Sequence, residues 1–137
     1  GNEAADDGSP AMIAGLGIDI VKTDRVREVY ARFGIKFARR ILAEAELRRF
    51  ASSRAPVSFL AMRFAAKEAT SKALGTGFRA GVSPRLIEVE HNAAGKPSLR
   101  FHGAVAEHVA AQGVTASFVS LTDEIDYAAA VVVFERT

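Results

Sequence analysis

The 137-residue chain contains no cysteine. That excludes disulfides, thiolate metal sites and a cysteine nucleophile, and it agrees with a cytoplasmic setting. Long hydrophobic runs are missing as well. The longest, Tyr127 to Phe134, has eight residues, against the ~20 that a membrane-spanning helix needs. No secretory signal, internal repeat, interior linker or nucleic-acid-binding motif is visible. With 49% hydrophobic and 25% charged residues, the chain is expected to form one soluble globular domain with its own core.

Residues 1–11 differ in composition, with Asn, Glu, Asp, Gly, Ser and Pro. They are expected to be a disordered tail or an expression remnant ahead of a native start at Met12, leaving 12–137 as the domain. Without Glu3, Asp6 and Asp7 the formal charge rises from +2 to +5. The basic charge is uneven: eleven Lys and Arg against four acids lie between Lys22 and Arg63. Such a surface suits an acidic protein, nucleic acid or phosphate groups, or is simply a solvated helix face.

The segment Arg63-Phe-Ala-Ala-Lys-Glu-Ala-Thr-Ser-Lys-Ala-Leu-Gly-Thr-Gly77 carries the most chemistry. It reads as a helix of small residues ending in a Gly-Thr-Gly loop. Glu68 and Lys72 are four apart and share a face, with Ala61 and Ala65 on the same stripe. A carboxylate, ammonium groups and a glycine loop together suit a magnesium-bound phosphate ester. The ordinary alternative is a surface Glu–Lys pair worth roughly 0.2–0.5 kcal/mol and a routine glycine cap. A second feature adds weight. Gly15-Leu-Gly-Ile-Asp-Ile-Val21 alternates as a buried strand, with Leu16, Ile18 and Ile20 on one face and Gly17, Asp19 and Val21 on the other. A carboxylate inside an apolar run must be paired, hydrogen-bonded or on a metal. Asp19 with Glu68 makes a two-carboxylate magnesium site competitive with a helix cap or a buried ion pair.

The periodicities predict a strand at Ile13–Val21, helices at Thr23–Phe33, Ala43–Ala51 and from Pro56 to about Leu74, and a loop over Gly75–Pro84. Strands at Leu86–Glu90 and Ser98–Phe101, a helix at Gly103–Gln112, and strands at Thr115–Leu121 and Tyr127–Glu135 follow. Hairpin connections dominate, so the expected class is α+β, a mainly antiparallel sheet packed with a long helix.

These motifs resemble the bacterial holo-acyl-carrier-protein synthases, small phosphopantetheinyl transferases. The resemblance runs from Met12 to Arg136. It rests on Gly17-Ile-Asp-Ile20, Arg63-Phe-Ala-Ala-Lys-Glu-Ala69 with Lys72 and Gly75-Thr-Gly77, Gly95-Lys-Pro97, and Ser120-Leu-Thr122. It implies magnesium-dependent transfer of 4′-phosphopantetheine from coenzyme A to a serine of apo acyl carrier protein, releasing adenosine 3′,5′-bisphosphate. It further implies fatty acid biosynthesis as the setting and a homotrimer with sites at subunit interfaces. By position, Asp19 and Glu68 resemble the metal acids and Glu68 and Lys72 the catalytic residues. Arg63, Lys67, Lys72, Gly75, Thr76, Gly77, Lys96 and Pro97 resemble the coenzyme A contacts. Arg25, Arg32 and Lys36 match one basic helical segment that docks carrier proteins. Many members have histidine where this chain has Asp123, which could bind near the metal or start a turn; the turn is the expectation. His91, His102 and His108 are expected to be surface or turn residues rather than bases. Two other classes stand beside this reading: a module that binds coenzyme A or a carrier without turnover, and a small basic nucleic-acid-binding domain. The resemblance implies neither a nucleic acid nor a membrane as partner.

Overall fold

The computed structural model describes residues 10–137; the expected tail lies, for residues 1–9, outside the described residues. Strand β1 (Met12–Lys22) leads through α1 (Thr23–Phe33), α2 (Ile35–Ile41) and α3 (Glu44–Ala51) to the long α4 (Pro56–Leu74). A loop and a short 3-10 turn (Pro84–Leu86) precede β2 (Ile87–His91), β3 (Pro97–Phe101), α5 (Gly103–Ala111), β4 (Ala116–Asp123) and β5 (Tyr127–Arg136). One antiparallel sheet has the order β1-β5-β4 and the β2–β3 hairpin forms a second. The expected α+β class is therefore the observed one. None of the helices among the described residues is long and apolar enough to cross a membrane.

Helix α2 departs from expectation. Gly34, at φ 57°, breaks the chain between α1 and α2, a conformation glycine adopts without Cβ strain. Arg25 and Arg32 thus lie on α1 and Lys36 on α2, not on one helical segment.

Helix α4 is buried on nearly every side, which its small residues allow. Pro56 opens it and Gly75, left-handed at φ 80°, closes it with its N–H on Lys72 O. Its own N-cap, Ala55, offers no side-chain bond. A distant carboxylate stands near its first turn instead: Ser58 Oγ donates to Asp123 Oδ2 at 2.7 Å, and Asp123 is the last residue of β4, directly ahead of the turn to β5. One core cluster joins α4 (Ala65, Ala69, Ala73) to Val132, Phe134, Ile87, Val89 and Val105. The other joins it to Val26 on α1, Ile41 on α2 and Phe50 on α3.

The inner face of β1 lies directly on α4. A Cβ built on Gly17 would stand 1.8 Å from Ala69 O, and one on Gly15 would stand 2.3 Å from Ala73 O. Backbone meets backbone there, so neither position accepts a side chain. The outer face is a surprise for a strand expected to be buried: Leu16, Ile18 and Ile20 are 62%, 67% and 66% exposed. They pair with Val133, Val131 and Ala129 of β5, next to Phe118 of β4.

Gly17→Ala is expected to destabilise by about 3 kcal/mol or more, at the upper end of overpacking costs. A thermal melt reads this as a fall of roughly 10 °C in Tm; an unchanged Tm would show that β1 and α4 are not in backbone contact.

Candidate active site

Asp19 is the first residue on the inner face of β1, past the glycines, that carries a side chain. It is buried, with its side chain 10% exposed, and it meets Lys72 of α4: Nζ donates to Asp19 Oδ1 at 3.0 Å and to Ile18 O at 3.0 Å. The sequence-level alternatives of a helix cap or a buried arginine partner are thus replaced by a lysine that is itself half-exposed. Glu68 lies one turn before Lys72. Partial burial pushes its carboxyl pKa up, the Asp19 charge adds to the rise, and Lys72 opposes it. Asp19, Glu68, Lys22, Arg25 and Phe64 line one groove of about 490 Å³, bounded by α1, α4 and the start of β5. The structure therefore brings together Asp19, Glu68, Lys72 and Arg25. Gly75, Thr76 and Gly77 follow at the end of α4, where Gly77 N–H returns to Ser71 O and the Thr76 hydroxyl donates to Gly77 O. Arg32 stacks its guanidinium over Phe33, and Lys36 lines a neighbouring, more apolar groove with Val29, Phe33 and Phe37.

Two carboxylates on one groove, one of them held toward its protonated form, favour a cation between them. Among the described residues no three His, Cys, Asp or Glu side chains gather to hold a metal. Magnesium suits such a pair, because it takes one or two carboxylates and fills its shell with water and phosphate oxygens.

Lys67 and Arg63, expected among the coenzyme contacts, lie elsewhere. Lys67 is fully buried and its ammonium is satisfied three times, by Glu46 Oε1 at 2.5 Å, Ile41 O at 2.7 Å and Pro84 O at 3.1 Å. It has no donor left for a ligand, and its place in the coenzyme set is corrected to this internal cluster. Glu46, 1% exposed, also accepts from the N–H groups of Ala43 and Val89. Arg63 Nε stands 3.2 Å from Glu46 Oε2, yet it is too poorly aligned for a hydrogen bond. Its guanidinium lies over the Phe59 ring at 3.7 Å. The sequence reading missed Glu46; the only local signal was an acid at the third position of a helix, where it can reach back to the N-terminal N–H.

Lys96 and Pro97 sit at the β2–β3 turn, where the Lys96 N–H is held by Asn92 Oδ1. His91 pairs with Pro97, and its pKa is lowered by burial and by the nearby Arg63 and Arg49 charges. The turn thus lies toward the Arg63 end of α4, roughly 18 Å along the helix from Gly75. The expected coenzyme contacts fall into two groups on one protomer. None of the three histidines lines the Asp19–Glu68 groove; His102 meets Glu88 at 3.0 Å and His108 meets Ala80 O at 3.0 Å.

The chain belongs to the 4′-phosphopantetheinyl transferase superfamily, whose family model matches residues 15–132. Within it, the chain is 55% identical over 122 residues to the holo-[acyl-carrier-protein] synthase of Halorhodospira halophila, covering 89% of this chain and 97% of that one. Among solved structures, the holo-[acyl-carrier-protein] synthase of Neisseria meningitidis superposes with a TM-score of 0.85 at 44% identity, over 90% of this chain and 98% of that one. The Helicobacter pylori synthase, solved in complex with coenzyme A, gives a TM-score of 0.76 at 29% identity, over 87% and 98%.

The Lys67 cluster has a pH signature. Burial lowers the Lys67 pKa from its ordinary 10.5 to about 8, against the pull of Glu46. Between those values the unfolded chain holds a proton that the folded one has released, so this group makes stability rise with pH across that window. The rise is about 3 kcal/mol at most. Urea unfolding of wild type and Lys67→Met at pH 7.5 and pH 10 should show the stability gap widening in favour of wild type at the higher pH. A gap that narrows would place the Lys67 pKa above its ordinary value.

Proposed function

We propose that this protein transfers 4′-phosphopantetheine from coenzyme A to a serine of an apo acyl carrier protein, leaving adenosine 3′,5′-bisphosphate. The observation that carries this reading is the meeting of Asp19 and Glu68 on one groove beside a basic helix, with the Lys72 ammonium bonded to Asp19, in a chain of this superfamily. Asp19 and Glu68 would hold magnesium, which when bound offsets charge on the pyrophosphate oxygens. Lys72, its ammonium held on Asp19 Oδ1, neutralises a phosphoryl oxygen as charge builds there. Glu68, whose raised pKa makes it a better proton acceptor, takes the serine proton directly or through a water. Arg25, at the groove, with Arg32 and Lys36 beyond it, meets the acidic surface of the carrier. Gly75, Thr76 and Gly77 receive the coenzyme. Fatty acid biosynthesis in the cytoplasm is the setting that the family resemblance implies.

We assign the assembly as a homotrimer with its sites between protomers. Two observations support it. The outer face of β1 presents Leu16, Ile18 and Ile20, with Phe118 nearby, as exposed apolar surface, of a kind that soluble proteins rarely leave open. The separation of Lys96 and Pro97 from the Asp19–Glu68 groove is bridged if a neighbouring copy supplies that turn.

Incubation with coenzyme A, magnesium and an apo carrier should add one phosphopantetheine to the carrier by mass spectrometry. Asp19→Asn and Glu68→Gln are expected to lower turnover by about a hundredfold or more, with Tm nearly unchanged. Lys72→Ala should lower kcat rather than raise the carrier's KM. Near-normal turnover in well-folded Asp19→Asn and Glu68→Gln proteins would sink the metal assignment.

Ile18→Lys tests the assembly. Light scattering should find wild type as a trimer and the variant as a monomer with little turnover. A monomeric wild type that turns over normally would end the shared-site reading.

A further inference from the structure

The loop after α4 is held in a conformation that its own sequence does not favour. Ala80 has φ 54°, the only non-glycine residue with positive φ among the described residues. An alanine is strained in that region, so contacts beyond its own preference hold it there. The carbonyl of Ala80 accepts from His108 Nε2 at 3.0 Å; a carbonyl has no proton to give, so the imidazole is the donor. At the other end of the loop, Gln112 Nε2 donates to Leu74 O, the last carbonyl of α4, at 2.8 Å. Next to Ala80, Gly81 leaves no room for a side chain, because a Cβ there would stand 2.9 Å from the Cβ of Ala104.

Ala104, His108 and Gln112 are spaced four apart and so form one stripe along α5 and its C-cap. The platform beneath them is firm: Val105 is fully buried in the core and His102 N–H is bonded to Leu86 O. We propose that this stripe is a clasp, and that His108 and Gln112 are positioning residues which set the Gly75–Gly77 loop to receive coenzyme A. The proposal rests on the assignment of that loop to the coenzyme. Both bonds are at least partly solvent-accessible, so each contributes only modestly to stability. Removing them would leave the fold intact while letting the loop sample other conformations, and the bound geometry would then be only fractionally populated. The effect should fall on coenzyme affinity rather than on chemistry, because neither side chain lies in the Asp19–Glu68 groove.

The test pairs hydrogen exchange with steady-state kinetics on His108→Ala, Gln112→Ala and His108→Gln, the last keeping a donor. In the two alanine variants the amides of Gly77 and Val82, both hydrogen-bonded within the loop region, should exchange faster. The KM for coenzyme A should rise about three- to tenfold, with kcat and the carrier's KM within about twofold and substantial recovery in His108→Gln. Unchanged exchange in both alanine variants overturns the clasp, whatever the kinetics. Faster exchange with an unchanged KM for coenzyme A keeps the clasp but overturns its functional role, placing the fault in the assignment of the loop. A fall in kcat with KM unchanged overturns the positioning role in favour of a catalytic one. If wild type transfers nothing to a carrier, the functional reading itself fails, while the exchange measurement still judges the clasp.

Discussion

The geometry of the site depends on two missing side chains. Without Cβ atoms at Gly15 and Gly17, β1 settles onto the carbonyls of Ala73 and Ala69. Helix α4 answers with alanines along the contact, each buried. The consequence is felt two residues further along the strand, where Asp19 emerges next to the helix and within 3.0 Å of the Lys72 ammonium. Larger residues at 15 and 17 would lift the strand away, and Asp19 would face the helix across a gap. A carboxylate and an ammonium from elements 53 residues apart are thus brought into register by packing rather than by any attraction of their own. An ion pair with one partner half-exposed is worth too little to organise two elements.

Helix α4 carries two sets of charges with opposite fates. Arg63 and Lys67 turn inward to Glu46, while Glu68 lines the groove and Lys72 reaches Asp19. Lys67 and Glu68 are neighbours in sequence, so the 100° step of the helix separates a sealed cluster from an open site. Burial lowers the Lys67 pKa, which shows that desolvation outweighs the attraction of Glu46. The cluster is therefore not a source of much net stability. Its value is geometric. Acceptors from α2, α3 and the 3-10 turn all point at one ammonium, and only one rotation of α4 satisfies them. That rotation is the one that presents Glu68 to the groove.

Local signals were legible and tertiary ones were not. Pro56 and Gly75 mark the ends of α4, and strand alternation puts Asp19 on the face of Gly17, opposite Leu16, Ile18 and Ile20; both readings hold because they depend on backbone geometry within a few residues. The spacing of Glu68 and Lys72 likewise survives, since four residues on a helix always share a face. Helix α2 escaped notice because seven residues hold barely two turns of periodicity. Lys67 is placed among the coenzyme contacts by resemblance, through its motif, and a motif does not say which face of its helix meets a ligand. Its partner Glu46 comes from 21 residues earlier, beyond the reach of any helical pattern. The clasp residues His108 and Gln112 carry no motif at all; only the fold shows that their stripe meets the loop.

Strand β1 also explains why the outer face looked like core. Alternation assigns Gly15, Gly17 and Asp19 to one side and Leu16, Ile18 and Ile20 to the other. A sequence cannot tell a face covered by its own chain from one covered by another copy, because both need the same apolar residues. The two faces constrain each other. Sliding the strand by one residue would put isoleucines against α4 and Asp19 among the exposed apolar groups, so the glycines inside and the Ile18–Val131 and Leu16–Val133 pairs outside enforce a single register. If copies of the chain cover that outer face, they shield from water the β1–β5 hydrogen bonds of the very strand whose inner side holds Asp19. Shielded ladder bonds open less readily. Assembly would then stiffen the site from behind, through a strand one residue thick, without any contact to the groove itself.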